Sequence, residues 1–151
     1  MATILLLSGP NLNLLGEREP EVYGTTTLAD LVGVAGTAAA AHGHDVEHVQ
    51  SNHEGALVDA IHGARGRCAA IVINAGAFSH YAYAITDALA MFQGVKIEVH
   101  LSNPYAREQW RHVSVVSPVV DGTITGLRAE GYRLAIEAAA ARLAETTQEQ
   151  T

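Results

Sequence analysis

The 151-residue chain reads as a doubly wound α/β protein with a five-stranded parallel sheet and helices on both faces. Two observations predict this. Short apolar runs alternate with longer helix-like segments, which implies parallel strand pairing with right-handed crossovers. Polar residues gather just after those apolar runs, at the carboxyl edge where open parallel sheets bind ligands.

Strands are expected near Thr3–Ser8, Asp45–Gln50, Ala69–Asn74, Lys96–Val99 and Ser114–Val116. Helices are expected near Leu28–His42, Glu54–Arg65, Ala82–Phe92 and Gly126–Ala144, with a short extra turn over Pro104–Gln109. The Ala38–Ala41 and Ala138–Ala141 stretches favour helix by propensity. Strand order 2-1-3-4-5 is preferred, and 3-2-1-4-5 is the alternative. Residues 1–145 form one domain in this reading, and the polar tail Thr146–Thr151 frays.

Bulk numbers narrow the function. A net charge of −7 disfavours binding to nucleic acid or anionic membrane. No apolar run spans a bilayer, and the start lacks a basic leader, so a cytoplasmic protein is expected. The one cysteine, Cys68, precedes an apolar run and reads as a buried thiol. The one lysine, Lys96, leads into a strand, which leaves little scope for Schiff-base catalysis.

The segment from Gly9 to Gly24 follows the first strand and is punctuated by glycine and proline. It carries Asn11, Arg18 and Tyr23. A guanidinium beside a phenol favours the phenolate, the form that can act as a base. Further strand ends supply Gln50, Ser51, Asn52 and Glu54, then Asn74, Ser79 and His80, then Glu98, His100, Ser102 and Asn103. Arg107, Arg111 and His112 lie just beyond. In order 2-1-3-4-5, Asn11 and Asn74 flank the switch-point crevice.

Asn13 and Asn103 read equally well as turn residues. Asn52 reads as a helix cap. Asn74 ends a fully apolar strand before Ala75-Gly76, where glycine permits a ligand to approach the backbone. Glu98 and His100 share one face of an extended strand, and a carboxylate beside an imidazole supports a general acid. Arg107 and Arg111 are four apart, so a helical turn sets them on one side, suited to an anionic or polyhydroxyl substrate. His42, His44 and His48 lack an acidic framework for metal. Dinucleotide, P-loop and nucleophile-elbow motifs are absent. What remains is a phenol, an imidazole, amides and guanidinium groups, which suit proton abstraction and elimination without metal or cofactor.

These motifs resemble the type II 3-dehydroquinate dehydratases over nearly the whole chain. The stretches that carry the resemblance are Gly9–Gly16 with Arg18-Glu19-Pro20 and Tyr23-Gly24, Gln50–Gly55, Ile73–Ala77 with Ser79-His80, Glu98–Asn103, Arg107-Glu108, Arg111-His112 and Gly126…Gly131-Tyr132. The resemblance implies a flavodoxin-like fold and the reversible dehydration of 3-dehydroquinate to 3-dehydroshikimate. It implies anti elimination through an enolate, with no metal, cofactor or Schiff base. Tyr23 is then the base, and Arg18, on a mobile lid, holds it phenolate-like. Asn11 positions a water at the enolate. His100 protonates the departing hydroxyl with Glu98 behind it. Asn74 and the backbone of Leu101 and Ser102 hold the substrate carboxylate. His80 and Arg111 contact ring hydroxyls, Arg107 lies on the lid side, and Asp87 comes from a neighbouring subunit of a dodecamer built from trimers. Tyr81–Thr86 departs from the family pattern, as does Phe78. The rival reading is a non-catalytic flavodoxin-like binding module, since this fold hosts many functions.

Overall fold

In the computed structural model, which describes residues 1–150, strands β1 (Thr3–Ser8), β2 (Asp45–Gln50), β3 (Ala70–Asn74), β4 (Val95–His100) and β5 (Gly122–Thr125) form one parallel sheet. The order is β2-β1-β3-β4-β5. This is the preferred expectation, and it places the switch point between β1 and β3, where Ser8 pairs with Asn74.

The central strands β1 and β3 are almost wholly apolar on both faces, because helices cover both faces of the sheet. Ile4, Leu6, Val72 and Val99 face helices α2 (Leu28–Ala40) and α5 (Ala129–Glu149), meeting Leu31, Ala35, Tyr132 and Ile136. Leu5, Leu7, Ile71 and Ile73 face helices α3 (Glu54–Ala64) and α4 (Tyr83–Met91), meeting Leu57, Ile61, Ile85 and Leu89. Each such side chain, fully buried, contributes about 1.5–3 kcal/mol. A reciprocal cap starts α2: Thr27 Oγ1 accepts from Asp30 N at 3.2 Å, and Asp30 Oδ2 accepts from Thr27 N at 3.0 Å. Among the described residues no helix is long and apolar enough to cross a membrane.

Three expectations are corrected. The fifth strand is Gly122–Thr125, not Ser114–Val116. The β-branched Val113–Val116 run resembles a strand. Instead it crosses over α4, with Val115 N donating to Ser79 O, Thr86 Oγ1 donating to Val115 O, and Val116 fully buried. Asn52 is not a helix cap: His53 holds that position, and Asn52 Oδ1 accepts from Asn11 N and Gln50 Nε2. The last helix runs on past Ala144 to Glu149, with Thr146 and Thr147 hydroxyls donating to the carbonyls of Arg142 and Leu143. Thr151, the end of the expected tail, lies outside the described residues.

The segment after β1 is more ordered than a plain loop. It makes a 3₁₀ turn at Leu12–Leu14 and one helical turn, α1 (Pro20–Tyr23). Leu12, Leu15 and Tyr23 are buried in the α2/α5 core. Gly16 and Gly24 bracket the Arg18–Tyr23 stretch with φ of 94° and 79°.

Candidate active site

The switch point is closed by two glycines. Gly9 N donates to Asn74 O at 2.8 Å, and a Cβ on Gly9 would lie 2.3 Å from Ala75 O. Gly76, at φ 59°, faces Pro10 across the same gap. The sequence suggested that Gly76 admits a ligand. It admits the loop after β1, so the ends of β1 and β3 make one wall, and it also lines the cleft.

Beside that wall opens a cleft. Arg18, Tyr23, Asn74, His80, His100, Leu101, Ser102, Arg107 and Arg111 line it. The segment after β1 supplies Arg18 and Tyr23, the ends of β3 and β4 supply Asn74 and His100, and Arg107 and Arg111 come from just after and within the 3₁₀ turns that follow β4. The fold thus gathers nine of the twelve sequence-predicted residues around one space. Glu98 stands behind His100. Asn11 and Asp87 do not line the cleft of a single chain. Asn11 is exposed at φ 68° with its N–H on Asn52, and Asp87 is exposed on α4. Leu12, Gly76, Ala77 and Pro104 complete the walls; of these only Gly76 was marked in advance, as a glycine that lets a ligand approach.

Tyr23 is clasped by two cations. Arg107 Nη1 donates to its Oη at 2.8 Å, and also to Ser102 Oγ at 3.2 Å. Arg18 lies over the ring face, its guanidinium carbon 4.5 Å from the centroid. The direct hydrogen bond to the phenol oxygen therefore comes from Arg107, which sequence spacing alone did not single out.

Glu98 is fully buried. Burial works against its charge. The hydrogen bond and charge of His100, then the hydroxyls of Ser117 and Ser114, more than offset this and hold its carboxyl below the usual range. His100 Nε2 lies 2.7 Å from Glu98 Oε2, and Ser114 Oγ donates to the same oxygen at 2.8 Å. Ser117 Oγ donates to Oε1. With Nε2 committed to Glu98, His100 has Nδ1 left for exchange with a bound molecule. Ser114 was missed because it read as the start of a strand, and Ser117 because it falls just beyond that strand.

Asn74 is held from two sides. Its Nδ2 donates to Tyr132 Oη at 3.0 Å and its Oδ1 accepts from Gly76 N at 3.1 Å. Burial pushes the Tyr132 phenol up to about 12, opposed by the Asn74 bond, so it stays neutral as a support. Burial also lowers the His80 imidazole from its ordinary value, against the bond to Val113 O at 2.7 Å. That bond occupies Nδ1 and leaves Nε2. Arg111 pairs with Glu108 and stacks 4.0 Å over Trp110.

The family model described as dehydroquinase class II matches residues 2–140. The chain belongs to this family. It is 56% identical over 136 residues to a 3-dehydroquinate dehydratase of Bacillus licheniformis, covering 90% of this chain and 94% of that protein. It is 53% identical over 137 residues to catabolic 3-dehydroquinase 2 of Aspergillus flavus, covering 91% of each. The crystal structure of type II dehydroquinase from Propionibacterium acnes matches with a TM-score of 0.87 at 46% identity, over 93% of this chain and 97% of that one. The flavodoxin-like fold expected for this class II dehydroquinase is thus also that of its structural relatives.

Proposed function

We propose that this class II dehydroquinase dehydrates 3-dehydroquinate reversibly to 3-dehydroshikimate, by anti elimination through an enolate. One observation carries the reading: a phenol clasped by two guanidinium groups and a carboxylate-backed imidazole share one cleft. In this reading Tyr23, as phenolate, takes the C2 proton. Electron density moves onto the adjacent carbonyl oxygen, and Arg18 and Arg107 supply the positive field that the enolate needs. His100 then delivers a proton from Nδ1 to the departing C1 hydroxyl, which leaves as water. Glu98 stabilises the imidazolium and fixes its orientation. Asn74, with the backbone of Leu101 and Ser102, holds the substrate carboxylate, while His80 and Arg111 meet ring hydroxyls. Asn11, on the loop after β1, holds a water against the enolate. The reaction serves either aromatic biosynthesis through shikimate or quinate breakdown, in the cytoplasm, where Cys68 stays a thiol.

The working form in this proposal is a dodecamer of four trimers. Tyr83, Asp87 and Met91 sit at i, i+4 and i+8 on α4 and all are exposed, a face suited to a neighbouring subunit. Asp87 is thereby offered to the adjacent cleft.

The experiment is ultraviolet absorbance after adding protein to 3-dehydroquinate, since elimination creates a conjugated enone carboxylate. A rise that survives chelator and borohydride establishes dehydration without metal or Schiff base, and the residue roles are then tested by substitution. No rise from folded, assembled protein overturns the proposal and favours the binding-module reading.

A further inference from the structure

Arg128 opens α5 with φ 53° and ψ −136°, a positive-φ conformation that glycine enters readily and residues with a Cβ avoid. Its N–H donates to Leu101 O at 3.0 Å, which ties it to the substrate side of β4. Its guanidinium reaches across to the lid. A Cβ built on Gly24 would lie 2.7 Å from Arg128 Nη1. Gly24 is itself strained for any other residue, at φ 79° and ψ −171°, and it closes α1 by donating to Pro20 O. Among the described residues the Arg128 guanidinium has no ion pair or hydrogen bond, and the side chain is exposed. A costly backbone conformation is therefore kept at a residue whose head bears on one hinge of the lid. Strained backbone persists only where its surroundings enforce it, and it gathers at clamps and switches.

We propose that Arg128 is a positioning residue for the lid: a latch whose guanidinium bears on Gly24 and favours the closed arrangement that sets Arg18 and Tyr23 over the cleft. It acts through the hinge and touches no reacting atom. Opening the lid requires rotation at Gly24, and the guanidinium occupies space next to that pivot. The effect on turnover rests on the dehydratase reading, but the latch itself does not.

The test uses Arg128→Gly, Arg128→Ala and Arg128→Lys in the full chain. Hydrogen exchange of the Glu17–Gly24 amides is read without substrate, beside melting temperature and steady-state kinetics. Glycine and alanine should both speed lid exchange about fivefold, within the tenfold that a single modest contact carries. Exchange in β1 and α5 should be unchanged. KM should rise by more than kcat falls. Arg128→Gly should melt above Arg128→Ala, since only glycine relieves the backbone. Lysine should recover part of the lid protection.

Wild-type lid exchange in the glycine and alanine variants overturns the latch. So does exchange that rises equally throughout the molecule, which would mark a structural role only. If the glycine variant does not fold, the alanine variant decides alone by the same lid readout. Absence of turnover in every protein, wild type included, would count against the dehydratase reading and leave the exchange result standing.

Discussion

At the residue scale the two cations on Tyr23 are not equivalent. Arg107 makes a charge-assisted hydrogen bond to the phenol oxygen at 2.8 Å, worth about 1.5–3 kcal/mol. Arg18 sits over the ring face at 4.5 Å, with a quarter of its side chain exposed. That arrangement is worth about 0.5–1 kcal/mol. Tyr23→Phe should lower kcat by about 10²–10⁴-fold, because it removes the base. Arg107→Ala should lower kcat by about tenfold to a hundredfold, and Arg18→Ala by only about twofold to fivefold. Steady-state kinetics on the three variants, with circular dichroism to verify folding, decides the order. A larger loss for Arg18 than for Arg107 would mean that the lid cation, closed on bound substrate, takes over the phenol oxygen.

At the element scale the site depends on how tightly the β1 and β3 ends meet. Gly9→Ala would drive a Cβ to 2.3 Å from Ala75 O, a backbone atom fixed next to the Gly9–Asn74 hydrogen bond. It should cost about 1–3 kcal/mol or more, and activity should fall with it as Asn74 and the lid lose register. Gly33→Ala on α2 meets nothing within 4 Å and should stabilise by up to about 1 kcal/mol. Thermal melts of the pair check both. The same elements explain what the sequence made legible. Period and polarity located β1 to β4 and the polar residues at their ends, because a buried central strand such as β3 is apolar and its functional group follows it; Leu101 and Asp87 came only from the family resemblance. Glu98 and His100 were readable as a pair because a strand alternates strictly. Gly122–Thr125 was missed because it opens on a glycine, while Val113–Val116, equal to it in β-branched residues, carries three valines. Tertiary cover, which local propensity cannot see, decided between them. The Arg107–Tyr23 bond joins residues 84 apart in sequence, so no local pattern could show it. Asn11 and Gly76 were expected at a ligand crevice by position alone. Gly76 does line the cleft while packing against Pro10, whereas Asn11 stands outside it with its N–H on Asn52.

At the scale of the whole molecule, three buried or half-buried groups bias stability in one direction as acid is added. Burial holds the His48 and His80 imidazoles below 6.5. As pH falls past 6.5 the unfolded chain binds protons that the folded chain refuses, so stability falls with pH there and levels off below the folded values. Glu98 is held below 4.5, although burial opposes it, by His100, Ser117 and Ser114. Its contribution is complete above 4.5 and is lost as pH drops through the depressed folded value. The signs agree although the charges differ, because in each case the unfolded chain is the better proton acceptor. Stability should therefore decline in two stages from about pH 8 to about pH 3, first through the histidines and then through Glu98. Urea midpoints at fixed protein concentration measure this, since assembly also shifts apparent stability. His48→Gln with His80→Gln should flatten the upper stage and leave the lower one, and Glu98→Gln should do the reverse. His48 shares a 3.0 Å contact with Ser8 Oγ on β1 and is not among the residues that line the cleft. The upper stage should consequently survive in Tyr23→Phe, which has lost turnover, and so separate acid unfolding from acid inactivation. A midpoint that stays flat from about pH 7 to about pH 5 would mean that water reaches both imidazoles in the folded protein and that burial leaves no penalty on their charge.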